Sequence, residues 1–280
     1  MVEVFLALGS ALLYGAADFC GGLASKRSPM VAVTVLSQAG GFVVLLLAIS
    51  FLPGRASAGD YAFGAVAGLF GGLGIALLYH ALSIGKMGVV SPITAVLAAA
   101  VPVAVGVARG ENLHTLQYVG IGIAFVAIVL ISFSVEAGGM REISTAGVRE
   151  ATLSGLLLGG FLFFLAQTSH AAGVHNLIGA RVTSILALLA VGVSTKTNFR
   201  VARPALPLIL FSGVIDMSAN VLYVLATFNG YLSIAAVITS LYPASTVFLA
   251  RFVLRERLGL SQKIGVGLAL LGVALIAFRR

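Results

Sequence analysis

Ten apolar runs, each close to twenty residues long, fill almost all of this 280-residue sequence. A helix needs ~20 mainly apolar residues to cross the ~30 Å hydrocarbon core of a bilayer. The runs fall at 3–24, 30–52, 61–84, 87–108, 114–134, 151–172, 176–195, 205–228, 231–252 and 260–278. Hydrocarbon offers no partner for backbone N–H and C=O groups, so a spanning segment is a helix or a strand of a closed barrel. Barrel strands alternate apolar and polar residues over ~10 positions, and these runs do not. The fold expected is an all-α integral membrane protein with ten transmembrane helices. Charged residues make up 9% of the chain, against ~25% in soluble domains, which leaves no material for a soluble domain of any size.

The second constraint is an internal repeat. Glu256 lies 145 residues after Glu111, and at the same offset Leu258 follows Leu113, Gln262 follows Gln117, Gly265 follows Gly120 and Gly267 follows Gly122. Ile93-Thr94 and Ile238-Thr239 keep this register, as do Leu130-Ile131 and Leu275-Ile276. Shared Gly, Glu and Gln in register are not a consequence of hydrophobicity alone. The chain divides into a first repeat over 1–134, a polar linker over 135–150 and a second repeat over 151–280. Five helices per repeat is an odd number, so the second copy enters the bilayer from the opposite side. Inverted repeats of this kind occur in alternating-access transporters, with the substrate site near the midplane between the copies.

Gly110-Glu111, Leu113, Gln117 and Gly120, repeated at Glu256, Leu258, Gln262 and Gly265, resemble the end of an EamA domain. Ser240-Leu241-Tyr242-Pro243 and Tyr14-Gly15-Ala16-Ala17-Asp18-Phe19 resemble that family too. The resemblance, to the EamA family of the drug/metabolite transporter superfamily, covers nearly the whole chain. It implies ten helices in two inverted five-helix halves that export or exchange small metabolites. The first half departs from the pattern: Ala98 stands where the second half has Pro243, and Pro102 comes four residues later. Gln38 occupies the helix-2 position where many relatives carry Arg, so an anion-binding role for that position does not carry over.

The formal charge is +8, but Lys and Arg sit in short segments between apolar runs, where membrane orientation and anionic headgroups account for them without nucleic acid. Twelve fall on the side away from the termini and five, Arg181 among them, on the side of the termini. That asymmetry places the termini outside, whereas the resemblance places them in the cytoplasm.

Polar residues inside the runs are the candidate site. Asp18 and Asp216 are the two acids within spans, and intramembrane acids face a cavity or a partner because an exposed charge there is costly. Asp216, Asn220 and Tyr223, spaced i, i+4, i+7, share one helix face. That face suits either a wet cavity or a hydrogen-bonded seam between helices. Tyr14 and Asp18 repeat the i, i+4 spacing. Tyr79, His80, Gln167 and Tyr242 complete the expected substrate-binding set. His170 shares the expected face of helix 6 with Gln167. His80 and His170 are each read as neutral, hydrogen-bonded side chains, and Arg181, early in helix 7, as snorkelling to the surface. Pro243 removes a backbone donor and can open carbonyls to a cavity. Glu111 and Glu256 are read as caps of helices 5 and 10. Those two helices carry almost no polar residue mid-span and are expected at the periphery.

The histidines are scattered and Cys20 is the single cysteine, so neither a metal nor another cofactor is expected. No cluster of nucleophiles or acids suggests an enzyme. The function expected is a secondary transporter for small amphipathic metabolites, amino-acid-like or organic cations, in the inner membrane of a prokaryote. Its partners are the substrate, the lipid bilayer and protons as coupling ion, exchanged at Asp216, with one chain acting as a monomer. A non-catalytic scaffold or a channel is the alternative.

Overall fold

The computed structural model describes residues 2–26, 28–52, 54–84, 87–132, 147–253 and 259–277. All regular structure in them is helical: α1 (Val2–Ser25), α2 (Met30–Ala48), α3 (Ala58–Ile84), α4 (Met87–Ala108), α5 (Thr115–Ser132), α6 (Val148–Leu165), α7 (Asn176–Ser194), α8 (Leu206–Asn229), α9 (Leu232–Thr239), α10 (Tyr242–Val253) and α11 (Leu260–Ala277), with short 3-10 turns at His170–Ala172 and Arg203–Ala205. Six helices are long and apolar enough to cross a membrane, and four shorter apolar helical stretches accompany them.

Three expectations change. The ninth run is two helices, α9 and α10, not one. Pro243 sits in the first turn of α10, where a missing N–H costs nothing. Inside a continuous helix its ring would collide with the carbonyl four residues back, that of Thr239, where α9 ends. At the matching place the first half has Ala98, and α4 runs on unbroken. The sixth run stops at Leu165, and 166–175 is a turn containing the His170–Ala172 3-10 segment. The expected linker ends early: α6 begins at Val148, capped by Gly147 at φ 79°, and 135–146 lie outside the described residues.

Contacts between the two halves exchange when one half is swapped for the other. α1 packs on α8 as α6 packs on α3; α2 on α8 as α7 on α3; α1 on α10 as α6 on α4. The pairs α5–α11, α2–α7 and α4–α9 map onto themselves. Chain directions obey the same exchange. α1 and α8 run antiparallel, with Ser10 Oγ donating to Ala219 O and Ser212 Oγ to Ala17 O, both at 2.9 Å. α3 and α6 also run antiparallel, with Ser154 Oγ donating to Gly74 O at 2.8 Å and Gly71 lying against Phe161. α3 and α7 run parallel, with Gly64, Gly68 and Gly72 facing Asn176, Ala180 and Ser184.

Small residues set the closest approaches, as they do where helices associate without a hydrophobic driving force. A Cβ on Gly213 would stand 1.8 Å from the Ser37 carbonyl, and one on Gly68 would stand 2.0 Å from that of Ala180. Gly213 follows Gly68 by 145 residues, so the repeat extends to the third helix of each half.

The motif that ends the first repeat has a structural reading. Gly110 turns the chain at φ 83°. Glu111 accepts from the backbone N–H groups of Leu232 at 2.8 Å and Ser233 at 3.2 Å; it caps α9, across the molecule, and not the neighbouring α5 as expected. Gln117 accepts from His114 N–H and donates to Ile276 O at 3.3 Å, tying α5 to α11. Gly120 lies at that crossing, against Gly272 and Ile276. Glu256 lies outside the described residues.

Candidate functional site

Helices of both repeats surround a cavity of about 90 Å³. A water molecule needs ~10–15 Å³ of such space, so the cavity has room for a small solute. Residues of α1 to α4 and of α6 to α10 line it, with Ser240 at the break between α9 and α10. No described residue of α5 or α11 does; those two helices pack on each other.

Three charged side chains are among the lining residues: Asp18, Arg181 and Asp216. Arg181 on α7 forms an ion pair with Asp216 on α8. Asn220, one turn along α8, donates to the Asp216 carbonyl at 2.6 Å and to its carboxylate at 3.2 Å. Tyr14 on α1 donates to Asn220 Oδ1 at 2.9 Å. A continuous polar chain thus runs Tyr14–Asn220–Asp216–Arg181 across three helices and both repeats. Asp18 lies one turn beyond Tyr14 and has no hydrogen bond or ion pair among the described residues. Tyr79 on α3 packs against Gly21 of α1 and lines the cavity beside Ser212.

Several buried polar atoms of lining residues have no hydrogen-bond partner among the described residues: Gln38 Oε1, Ser184 Oγ, Thr239 Oγ1, Ser240 Oγ and Tyr242 OH. Buried polar groups in native proteins are nearly always hydrogen-bonded. All five belong to residues that line the cavity, although the atoms themselves are buried.

Six of the nine expected site residues meet at this cavity: Tyr14, Asp18, Tyr79, Asp216, Asn220 and Tyr242. The other three do not line it. Tyr223 is fully buried and donates to Leu162 O at 2.9 Å, which makes it a seam between α8 and α6. Gln167 lies past the end of α6, donates to Phe163 O at 3.0 Å and accepts from Arg109; Arg109 also covers the Phe163 ring, 5.1 Å from its centroid. His80 is half-buried, next to Tyr79, but not at the cavity. His170 is in the exposed turn, stacked on Phe228 at 4.5 Å between ring centroids.

Arg181 overturns its expectation. It is 7% exposed and reaches inward to Asp216 instead of snorkelling. Asp216 is therefore not a lone proton-exchanging acid but half of an ion pair. The residues missed by sequence reasoning are short: Thr34, Ser37 and Ser184 on α2 and α7, and Ser212 on α8. Thr34 and Gln38 share the i, i+4 spacing that singled out Tyr14 and Asp18, and this was the available signal.

The model of the EamA-like transporter family matches residues 1–133 and 146–278. No curated protein matches the chain. Among solved structures, one titled only as the crystal structure of a protein superposes with a TM-score of 0.75 at 13% identity, over 98% of this chain and 96% of that one. At that identity the match concerns the fold.

Proposed function

We propose that this chain, which belongs to the EamA-like transporter family, moves small amphipathic metabolites across a membrane by alternating access, with the cavity between its repeats as the substrate site. The observation that carries this reading is the cavity itself: one site, shared by both halves, with polar side chains and an ion pair on its walls. A scaffold has no use for such a site. A channel needs a continuous pore, whereas this cavity is assembled by two exchange-related halves of a single chain. In this reading the ten apolar segments cross the bilayer as two inverted sets of five, with the broken α9–α10 segment counted as one crossing. Helix breaks beside a site are a recurrent feature of transporters because they free backbone groups at depth. One chain completes the site, so the working unit is a monomer, in the inner membrane of a prokaryote.

The substrate is a small molecule with a polar head and an apolar body, since the lining is mostly apolar on α3 and α6 but mostly polar on α1, α2 and α8. Protons are the coupling ion in this reading, and Asp18, which has no partner among the described residues, is the group to exchange them.

The experiment is flux in proteoliposomes holding the purified chain, run against a panel of amines, amino acids and organic acids. Saturable uptake or exchange supports a carrier. Flux that rises linearly with concentration for every permeant solute supports a channel, and no flux for any solute supports a scaffold.

A further inference from the structure

The charges of the cavity do not balance. Two carboxylates and one guanidinium line it, and the guanidinium of Arg181 is already held by Asp216. Asn220 adds two hydrogen bonds to Asp216 and is itself fixed by Tyr14. Asp18 is left over. A carboxylate within the protein interior is costly unless a cation or hydrogen-bond donors accompany it, and among the described residues neither does.

The surroundings of Asp18 are aromatic. Tyr14, Tyr79 and Tyr242 line the same cavity as Asp18, and Tyr14 stands one helical turn before it on α1. Tyrosine faces attract cations through the ring quadrupole, and an aromatic wall beside a carboxylate is the usual surrounding of a bound organic ammonium. Thr239, Ser240 and Gln38 are polar residues of the same lining. The size of about 90 Å³ suits a small body.

We propose that Asp18 is the counter-ion for a small organic ammonium held in the central cavity, and that Arg181 makes no contact with it. The assignment rests on the transporter reading and narrows its substrate to a monocation. An anion meets no available cation among the described lining residues. A zwitterion brings an ammonium for Asp18, but its carboxylate has to take Arg181 from Asp216 and leave that acid unpaired in the interior. A monocation pairs with Asp18 and leaves the Arg181–Asp216 pair intact.

The test uses the full chain purified in detergent and four solutes built on one branched carbon chain: isopentylamine, isopentanol, isovalerate and leucine, which is isopentylamine bearing an added carboxylate. Saturable stabilisation against heat reads binding. Isopentylamine is expected to bind more tightly than the other three. Asp18→Asn is expected to weaken it about tenfold or more, and Asp18→Glu to retain binding. The charge series on the unaltered protein keeps the proposal open to refutation even if Asp18→Asn misfolds. Tighter binding of isovalerate or leucine than of isopentylamine overturns it, as does isopentylamine binding that ignores Asp18→Asn, or no binding of the amine. Saturable flux of a non-amine solute, with no amine bound, overturns the ammonium assignment alone. Absence of saturable flux for any solute removes the transporter reading beneath it.

Discussion

Arg181 on α7 and Asp216 on α8 form an ion pair inside the protein, although each sits in a run that reads as apolar membrane span. Their relation decides the electrostatics of the cavity. Pairing consumes the one guanidinium found among the described lining residues and leaves Asp18 at the cavity with no partner among them.

Breaking that pair from one side should cost more than removing it. Arg181→Met leaves Asp216 uncompensated, and loss of one partner of a buried pair costs about 3 kcal/mol or more. Asp216→Asn has the same effect on Arg181. The double variant is expected to recover at least ~1 kcal/mol relative to the sum of the singles. Thermal unfolding of the four proteins in one detergent measures this, and strict additivity would refute a direct pair.

Two pairs of glycines at the 145-residue offset separate packing from mere composition. Gly213→Ala drives a Cβ to 1.8 Å from the Ser37 carbonyl, and Gly68→Ala to 2.0 Å from that of Ala180. Neither contact is with a movable side chain, so each should cost at least ~1–3 kcal/mol or prevent folding. Gly122 and Gly267 have nothing within 4 Å of the added carbon. Their alanine variants should unfold within ~0.5 kcal/mol of the parent or gain up to ~1 kcal/mol from helix propensity. Melting temperature and monodispersity on size exclusion give the comparison.

Glu111 is expected to act at a distance in sequence. Its carboxylate holds the first N–H groups of α9, and loss of a cap costs typically ~1 kcal/mol. Glu111→Ala should destabilise by about that amount, whereas Glu111→Gln, which keeps an acceptor oxygen, should lose less. A variant at Leu113, outside the cap, serves as the control for local disturbance of the α4–α5 turn. Equal losses for Ala and Gln at position 111 would show that the acceptor is not what matters.

Water access separates the cavity from the lipid-facing helices. After Cys20, which is buried, is replaced by Ala, single cysteines at Ser37, Ser184 and Ser212 should react with a water-soluble thiol reagent, and a transported solute should slow them. Cysteines at Val126 of α5 and Leu270 of α11, both exposed on the outer surface, should stay unreactive in a bilayer. Reaction at 126 or 270 that solute slows would move the pathway away from the cavity.

The sequence by itself determined the helical class, because runs of apolar residues near twenty long admit little else in hydrocarbon. It also determined the two-repeat organisation, because Glu111, Gln117 and Gly120 recur in register at Glu256, Gln262 and Gly265, and the family match divides the chain at nearly the same place. The break before Pro243 was marked by the residue that causes it, though its consequence, two helices with Ser240 between them at the cavity, depended on what packs there. Periodicity put Asp216, Asn220 and Tyr223 on one face, but a helix face is broad. Only the tertiary structure turned Tyr223 into a seam with Leu162 and gave Asp216 and Asn220 to the cavity. Likewise Arg181 reads the same in sequence whether it reaches for the surface or for an acid. Asp216 is 35 residues away, and a side chain finds such a partner through the packing of two helices that no local pattern encodes. That Asp18 has no partner among the described residues is a fact of the same kind, since it depends on which helices pack around it.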